Sequence, residues 1–264
     1  MATPTKPTTA LQGRFLWHEL QTTDVKAATA FYEKVMSWGS KPSELVGDIQ
    51  YTVVTAGDSQ IGGLMELPPN LRAANVPPHW MGYIGCDDLD ETVARARKLG
   101  ATVHFGPHDI PNVGRFAAIG DPQGAAIALL TPAYDPGPDN DPGLGHISWN
   151  ELMTTDYKAA WRFYSELFGW EEMQQMDMGP MGTYFMYGRN GRMLGGMMNV
   201  PPGMSMPPNW CYYVSVKDAK ATAELAKANG ATIINGPMEV PGGDWVAQGT
   251  DPQGAVFAIH SRTA

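Results

Sequence analysis

The chain repeats itself over almost its whole length. Residues 17–24 read WHELQTTD, and residues 149–156, which lie 132 positions further on, read WNELMTTD. The pair Phe31-Tyr32 and the residue Trp38 return at the same offset, as Phe163-Tyr164 and Trp170. Two later landmarks, PPHW at 77–80 and DPQGA at 121–125, return 130 positions further on as PPNW and DPQGA. Because the landmarks recur in the same order, the chain is a tandem duplication built from two related halves.

A short polar segment separates the two halves. Residues 134–143 contain three prolines, two glycines and three aspartates, a composition typical of a linker. We therefore place a first domain at residues 12–133 and a second at 144–262, joined by the linker at 134–143. Residues 1–11 are rich in threonine and proline and are expected to form a flexible tail.

Each half divides again into two similar units. Residues 15–21 alternate as a strand does, and residues 22–24 offer helix-capping side chains. The apolar face of residues 25–38 predicts a helix. A second strand at 81–86 leads to a helix at 89–99, which ends at a glycine. Further strands are predicted at 50–56, 60–67, 114–119 and 125–130. We therefore expect an α+β fold in which a strand–helix–strand–strand–strand unit occurs four times.

These motifs resemble those of the vicinal oxygen chelate superfamily, which includes glyoxalase I, bleomycin-resistance proteins and extradiol dioxygenases. The resemblance rests on a strand that leads into an aspartate, on an alanine-rich helix with Phe163-Tyr164 and Gly169-Trp170, and on the Asp-Pro-x-Gly turns at 121–124 and 251–254. It covers residues 12–262. It implies four βαβββ modules that form two glyoxalase-like domains, each with a cupped mixed sheet and outer helices. In the family, the concave face of the cup holds a metal and the substrate.

The expected metal ligands are missing from this sequence. The resemblance places a histidine seven residues before the aspartate that opens each helix, and a glutamate seven residues after the aspartate of each Asp-Pro-x-Gly turn. The corresponding positions hold Trp17, Met81, Ala128, Trp149, Cys211 and Ala258. A further ligand would come from the strands near residues 65–67 and 198–200, where Glu66 alone does not restore a site. Tryptophan, methionine and alanine are not ligands for a hard or borderline divalent ion, and Cys211 cannot hold one alone, so we expect neither a metal nor another cofactor.

Strand alternation indicates which side chains share a cup. If Trp17 and Trp149 point into the cups, so do Glu19 and Glu151, two residues further along each strand. A carboxylate that lies against aromatic rings is partly desolvated, which raises its pKa and suits it to proton transfer. Alternatively, the tryptophans fill space left by the lost metal, and the glutamates pair with Arg14 or other basic side chains.

The second strand of each domain adds two tyrosines by the same alternation. Tyr83 shares a face with Met81, and Tyr213 shares a face with Cys211. The candidate catalytic residues are Glu151, Tyr213 and Glu19. Candidate ligand contacts are Trp17, Tyr83, Trp149 and Cys211, although Cys211 is equally well explained as a small buried side chain. Six scattered histidines share no spacing that predicts a metal site, and His260, on the face of Ala258, lies near the rim of the second cup.

Methionines are concentrated in the second half. Ten of the sixteen lie between residues 173 and 206, in a stretch that also contains Tyr184, Phe185 and Tyr187. Methionine is flexible and polarisable, so a methionine-rich wall adapts to irregular apolar ligands. We therefore place the binding site in the second cup and add Tyr184 and Met197 to the candidate ligand contacts. An adaptable core at a domain interface would explain the same stretch.

Composition narrows the function classes. A formal net charge of −9 argues against sequence-independent binding of nucleic acid, and no apolar run approaches the roughly 20 residues that span a bilayer. The amino-terminal residues lack the apolar core of a secretory signal, so we expect a cytoplasmic protein without nucleic-acid or membrane partners. Its oligomeric state is expected to be a monomer with internal pseudo-symmetry or a homodimer.

Four functions remain open after these exclusions. The first is a metal-independent small-molecule binding protein of the glyoxalase/bleomycin-resistance type, with an apolar or aromatic ligand in the cup of domain 2. The alternatives are a metal-free lyase, isomerase or hydrolase that uses Glu151 as acid/base, and a metal-dependent glyoxalase or dioxygenase. The last is an interaction protein whose cups are packed shut. The sequence leaves open whether there is turnover, and whether the four modules pair within or between the halves.

Overall fold

The computed structural model describes residues 11–43, 50–139 and 142–262. Nearly all of the predicted tail at 1–11, and residues 140 and 141 of the predicted linker, lie outside these ranges. No helix in the described part of the chain is long and apolar enough to cross a membrane.

The first half forms one eight-stranded mixed sheet. Its elements are β1 (Phe15–Thr22), α1 (Val25–Met36), β2 (Gly39–Ser43), β3 (Tyr51–Ala56), β4 (Ser59–Glu66), α2 (Pro69–Ala73), β5 (His79–Gly85), α3 (Leu89–Lys98), β6 (Thr102–Ile110), β7 (Gly114–Gly120) and β8 (Ala126–Pro132). The strands have the order β2-β3-β4-β1-β5-β8-β7-β6, with β1 parallel to β4 and β5 parallel to β8.

The second half repeats this arrangement in a second eight-stranded sheet. Its order, β10-β11-β12-β9-β13-β16-β15-β14, is that of the first sheet element for element. Its elements are β9 (Ile147–Thr154), α4 (Tyr157–Phe168), β10 (Glu171–Asp177), β11 (Thr183–Arg189), β12 (Arg192–Asn199), β13 (Asn209–Ser215), α5 (Ala219–Ala228), β14 (Thr232–Glu239), β15 (Trp245–Thr250) and β16 (Val256–Ser261). The predicted α+β fold of four βαβββ modules is confirmed, with α2 and a short 3-10 turn at Gly179–Met181 as additions.

The repeat sequences explain where the four long helices begin and end. Each starts after an aspartate whose carboxylate accepts a backbone N–H of the first turn; Asp24, for example, accepts from Ala27 at 2.9 Å. Helix α4 ends at Gly169 in a left-handed conformation, with φ of 71°. Helix α1 ends at Met36, two residues before the predicted end, because Ser37 already adopts a left-handed φ of 56°.

The chain divides into two compact units that do not coincide with the two halves. The first unit contains the described residues of the ranges 1–16, 82–139 and 150–210, and the second contains those of 17–81, 140–149 and 211–264. Helix α3 packs against α4 in the first unit, and α1 packs against α5 in the second. Each unit therefore contains residues of both halves, whereas each eight-stranded sheet combines the two modules of one half.

Two motifs of the repeat bind each other inside each unit. In the second unit the Tyr32 hydroxyl donates to Asp251 Oδ2 at 3.1 Å, and the Trp80 indole donates to the Tyr32 oxygen at 3.0 Å. Burial raises the pKa of Tyr32 well above its ordinary value, and burial also raises the pKa of Asp251. The tyrosine of the Phe-Tyr pair thus binds the aspartate of the Asp-Pro-x-Gly turn from the opposite half.

The first unit contains the same set of contacts. The Tyr164 hydroxyl donates to Asp121 Oδ2 at 3.1 Å, and the Trp210 indole donates to Tyr164 at 3.2 Å. The indole of Trp170 donates to the carbonyl of Gly13 at 2.8 Å, as Trp38 does to Gly145 at 2.7 Å in the second unit. Most landmarks of the duplication are therefore residues that hold the units together.

Candidate functional site

Strand β1 carries Trp17, Glu19 and Gln21 on one face, which we call the cup face. The opposite face carries Leu20, which is fully buried in the core of the second unit. The Trp17 indole donates to the Tyr51 hydroxyl at 2.7 Å, and the Gln21 amide donates to Glu19 Oε1 at 3.2 Å. Glu19 is only 6% exposed, so its carboxylate is held by neighbouring polar groups rather than by bulk water.

A glycine makes room for the tyrosine of this site. Gly63 lies beside Glu19 in the parallel pairing of β1 with β4. A Cβ at Gly63 would collide with the ring of Tyr51. The ring therefore lies flat across β4, at the level of the glutamate, because that position has no side chain.

The first unit has the corresponding arrangement around Glu151. Gly196 lies beside Glu151 in the pairing of β12 with β9, and a Cβ there would collide with the ring of Tyr184. The Tyr184 hydroxyl donates to Glu151 Oε2 at 2.8 Å. Glu151 is 7% exposed. A buried carboxylate bonded to a phenol is able to orient a polar ligand or exchange a proton with it.

Residues of strands β13, β15 and β16 form an apolar cluster with Trp149 in the second unit. Cys211, Tyr213 and Ala258 are buried together, with Trp149 and Val246 packed against them. Tyr213 and Ala258 are directly paired in the parallel register of β13 with β16. The structure thus brings together three residues selected from the sequence, Trp149, Cys211 and Tyr213. The whole set, which also includes Val246 and Ala258, is called the Trp149 cluster below.

Polar side chains border the Trp149 cluster. The Gln248 amide donates to the Tyr213 hydroxyl at 2.6 Å, and Asn235 donates to Gln248 Oε1 at 3.1 Å. Ser148 Oγ lies 3.2 Å from His260 Nδ1, and His260 Nε2 lies 2.9 Å from Asp244 Oδ2.

Sequence reasoning missed all of these polar groups except His260. A comparison of the second half with its duplicate would have shown them, since the first half has Leu16, Phe105, Ala118 and Leu130 where the second has Ser148, Asn235, Gln248 and His260.

Tyr83 lies in a different environment from its duplicate Tyr213. Its ring centroid is 6.1 Å from that of Phe116, which in turn is 5.4 Å from Phe105. Phe105 is 49% exposed. The corresponding region of the first half is therefore aromatic. Phe105 and Ala118 stand there in place of Asn235 and Gln248, the two amides that lead to Tyr213.

The predicted site residues fall into both units. Glu151, Tyr184, Tyr83 and Met197 belong to the first unit, while Trp17, Glu19, Trp149, Cys211 and Tyr213 belong to the second. Glu151 with Tyr184, and Trp149 with Tyr213, are each brought together within one unit. That Glu151 and Tyr213 act on one ligand stays a prediction.

One prediction about the methionines is wrong. Met197 is paired with Leu152 and Phe185, so it lies on the opposite face from Glu151 and is fully buried in the core. Its neighbour Met198 is the residue that shares the face of Glu151. The other methionines of the stretch lie in different environments, and Met181, Met193, Met204 and Met206 are exposed.

The proposed pairing of Glu19 with Arg14 is also not found. Arg14 instead binds the segment that follows β8: it donates to the Gly137 carbonyl at 2.7 Å and lies 3.4 Å from Asp139. Arg189, whose side chain is 1% exposed, lies 2.8 Å from the same carboxylate, and Arg192 also pairs with it. Arg14, Arg189 and Arg192 therefore all pair with Asp139 of the predicted linker.

The residues present do not fit the metal centre that the resemblance implies. In the described part of the chain, no three histidine, cysteine, aspartate or glutamate side chains come together as possible metal ligands. At the key positions, Ala258 is paired with Tyr213 and Ala128 with Tyr83. Glu66, the remaining acidic candidate, is bound to Arg72 at 2.8 Å. This donor set offers too few anionic or imidazole ligands for a divalent ion.

Comparisons with known proteins agree with the fold. The family model described as "Glyoxalase/Bleomycin resistance protein/Dioxygenase superfamily" matches residues 14–129 and 143–259. A Mycobacterium tuberculosis protein named "Putative glyoxylase CFP32" is 32% identical over 249 residues, which is 94% of each chain. The anthracycline biosynthesis protein DauV of a Streptomyces species is 26% identical over 254 residues, 92% of this chain and 91% of the relative.

Two solved structures show the same architecture at low sequence identity. The 2,3-dioxygenase LapB from Pseudomonas sp. KL28 has a TM-score of 0.66 at 10% identity, over 96% of this chain and 93% of that one. The Mn(II)-bound glyoxalase from Novosphingobium aromaticivorans has a TM-score of 0.65 at 16% identity, over 97% and 84% of the two chains. With both halves matched by the family model and the fold shared, the chain belongs to the glyoxalase/bleomycin resistance protein/dioxygenase superfamily, as a tandem of two glyoxalase-like segments.

Proposed function

We propose that this protein is a metal-independent small-molecule binding protein of the glyoxalase/bleomycin-resistance type, with an apolar or aromatic ligand in the second half. One observation carries the proposal: the positions where the family places metal ligands hold Trp149, Cys211 and Ala258, and these three pack into one apolar cluster with Tyr213 and Val246. An apolar wall with a few fixed polar groups is how small-molecule sites are built.

Trp149 is the residue to test, because its indole is the largest surface of the cluster that is not fully buried. If a planar ligand covers about 60 Å² of the indole, truncation to alanine costs about 1.5 kcal/mol of binding free energy. That loss weakens binding by roughly tenfold.

The name of one relative suggests a first probe. DauV is named as an anthracycline biosynthesis protein, and anthracyclines are fused-ring aromatic compounds whose own fluorescence reports binding. An anthracycline is titrated into the wild type and into Trp149→Ala, with Trp17→Ala, the duplicate position, as the matched control. We expect a large loss only in Trp149→Ala. Equal affinity in all three proteins, or no binding by the wild type, would contradict the choice of site.

Metal independence has its own test. The protein is purified without a histidine tag, its metal content is measured by plasma mass spectrometry, and the titration is repeated after dialysis against a chelator. We expect substoichiometric metal and an unchanged dissociation constant. One equivalent of metal per domain, with binding lost after chelation, would support a metal-dependent glyoxalase or dioxygenase instead.

A second candidate function is a metal-free lyase, isomerase or hydrolase. It is favoured by the 2.8 Å hydrogen bond from the Tyr184 hydroxyl to the buried Glu151 carboxylate, an arrangement suited to acid/base chemistry. Any compound that binds is incubated with the protein and followed by mass spectrometry for a product. Turnover that is lost in Glu151→Gln and kept in Glu19→Gln would establish Glu151 as the acid/base. Turnover that survives in Glu151→Gln would exclude that role.

The remaining expectations about partners are proposals as well. The formal net charge of −9 supports a protein without nucleic-acid partners. We also propose that it works in the cytoplasm on a small molecule, without a membrane partner. Light scattering would separate a monomer from a homodimer, the two oligomeric states that we propose.

A further inference from the structure

The second half differs from the first at several neighbouring positions of its sheet. Along β14, β15 and β16, Asn235, Gln248 and His260 stand where the first half has Phe105, Ala118 and Leu130. The registers of the two copies match: Asn235 pairs with Gln248 as Phe105 pairs with Ala118. The second half therefore has polar groups on a surface that the same fold fills with apolar groups in the first half.

His260 is the middle member of a hydrogen-bonded series of three polar side chains, Ser148, His260 and Asp244. Asp244 only accepts hydrogen bonds when ionised, so its contact with His260 Nε2 at 2.9 Å places the hydrogen on Nε2 in a neutral imidazole. In that tautomer Nδ1 is an acceptor, and the one Ser148 hydroxyl proton has two acceptors within reach, His260 Nδ1 at 3.2 Å and the backbone carbonyl of Tyr213 at 3.3 Å. With the proton donated to the histidine, the chain runs from Ser148 through His260 to Asp244.

This chain ends beside the Trp149 cluster. Ser148 Oγ is 3.3 Å from the backbone carbonyl of Tyr213, and His260 is paired with Val246 in the antiparallel register of β15 with β16. A serine oxygen whose proton is donated to a histidine keeps lone pairs that accept from a third group. Hydrogen bonds in such a chain polarise one another, which makes the serine oxygen a better acceptor.

We propose that the Ser148–His260–Asp244 chain is the hydroxyl-binding end of the second-half site, and that this site takes a phenol-type ligand whose ring lies on the Trp149 cluster. The inference rests on the proposed function and narrows its ligand class. The ligand hydroxyl donates to Ser148 Oγ, Ser148 donates to His260, and Asp244 acts as a positioning residue that fixes the imidazole. The amide chain from Asn235 through Gln248 holds the Tyr213 ring in the wall.

Two near-isosteric probes test this inference. Binding of 2-naphthol and of 2-methylnaphthalene is measured by equilibrium dialysis at neutral pH. A purely apolar site would favour the methyl compound, since burial of an unpaired hydroxyl is unfavourable. We expect the opposite preference, with 2-naphthol bound about twofold to twelvefold more tightly, the range for one hydrogen bond between uncharged groups.

The variants assign the preference to named side chains. We expect Ser148→Ala and His260→Leu to lose the preference for 2-naphthol; leucine is the residue that the first half has at the position of His260. Both variants should still bind 2-methylnaphthalene, which shows that they are folded. Asp244→Asn is expected to lose it too, and Asp244→Glu to restore part of it. His104→Leu, on β6 in the first unit, is the control and should keep it.

The outcomes separate this inference from the proposed function. If both probes bind through Trp149 with equal affinity, or if the preference survives in both Ser148→Ala and His260→Leu, the phenol inference is overturned and the proposed function stands. If neither probe binds, or if Trp149→Ala binds both as the wild type does, the proposed function fails and the inference fails with it.

Discussion

The Tyr164 hydroxyl is a single group on which two motifs of the first unit depend. It donates to Asp121 Oδ2 at 3.1 Å and accepts from the Trp210 indole at 3.2 Å. Asp121 is 3% exposed and Trp210 is 7% exposed, so water does not readily replace the lost group. The substitution Tyr164→Phe keeps the ring and removes only the hydroxyl, which makes it a clean test of these contacts.

The expected loss follows from the two bonds. A hydrogen bond to a charged group contributes about 1.5–3 kcal/mol, and the neutral bond from the indole adds about 1 kcal/mol. Tyr164→Phe should therefore lower the free energy of unfolding by about 2.5–4 kcal/mol. The carboxylate keeps two further donors on Oδ1, the backbone N–H groups of Gln123 at 2.8 Å and Ala125 at 3.0 Å, so folding itself should survive.

The loss should depend on pH in a defined direction. Burial raises the pKa of Asp121, while the hydrogen bonds it accepts lower it. A carboxyl whose folded pKa lies above its unfolded value stabilises the folded state as the pH falls through the folded pKa. Without the tyrosine the folded pKa rises further, so the variant gains more on acidification. The penalty should therefore shrink as the pH falls from neutral toward the ordinary aspartate pKa of about 3.9.

Urea unfolding followed by circular dichroism measures both effects. Tyr32→Phe in the second unit should lose a similar amount, because Tyr32 makes the same contacts with Asp251 and Trp80. Tyr157→Phe is the control, since no hydrogen bond to the Tyr157 hydroxyl is found among the described residues. A loss below about 1 kcal/mol in Tyr164→Phe, or a penalty that grows on acidification, would refute the reasoning.

Three shorter predictions concern other parts of the chain. Gly196→Ala should push the Tyr184 ring off its glutamate and lower the free energy of unfolding by about 1.5–3 kcal/mol in urea; a change below about 0.5 kcal/mol would mean that the ring adjusts without losing its bond. Asp139→Asn should cost about 3 kcal/mol in the same assay, because it leaves the buried Arg189 guanidinium without its carboxylate, and an unchanged midpoint would contradict this. Burial raises the pKa of the Cys86 thiol and removes it from solvent, so iodoacetamide should label it only in unfolded protein. Peptide mapping detects the label, and rapid labelling of native protein would show that the site opens.

Local signals in the sequence were enough to predict the helices and the modular fold. Aspartate caps, a glycine stop and apolar faces are features of single elements, and the duplication showed each of them twice. Strands β2, β6, β10 and β14 were not located, because they are outer strands with largely exposed side chains. Such strands carry no strong apolar alternation, and only the pairing with a neighbour defines them.

Strand alternation was enough to predict that some of the candidate residues lie together. Trp149, Cys211 and Tyr213 pack into one cluster, as the alternation of their strands indicates. Met197 and Met198 are both apolar and adjacent, so composition cannot choose between them; the register of Gly196 with Glu151 does. The contacts between the halves were out of reach, because the tyrosine and aspartate that make them are more than 40 residues apart in sequence.

The two cup glutamates show that both halves use one device to place a tyrosine. Gly63 and Gly196 each leave room for a ring beside the glutamate of their own half. The Tyr51 hydroxyl accepts from the Trp17 indole, and the Tyr184 hydroxyl donates to the Glu151 carboxylate. A phenol both donates and accepts, so a ring in this position is able to bond with the tryptophan and with the glutamate of the repeated strand. The residue without a side chain therefore positions a hydroxyl on the cup face, and both halves have a glycine there for that reason.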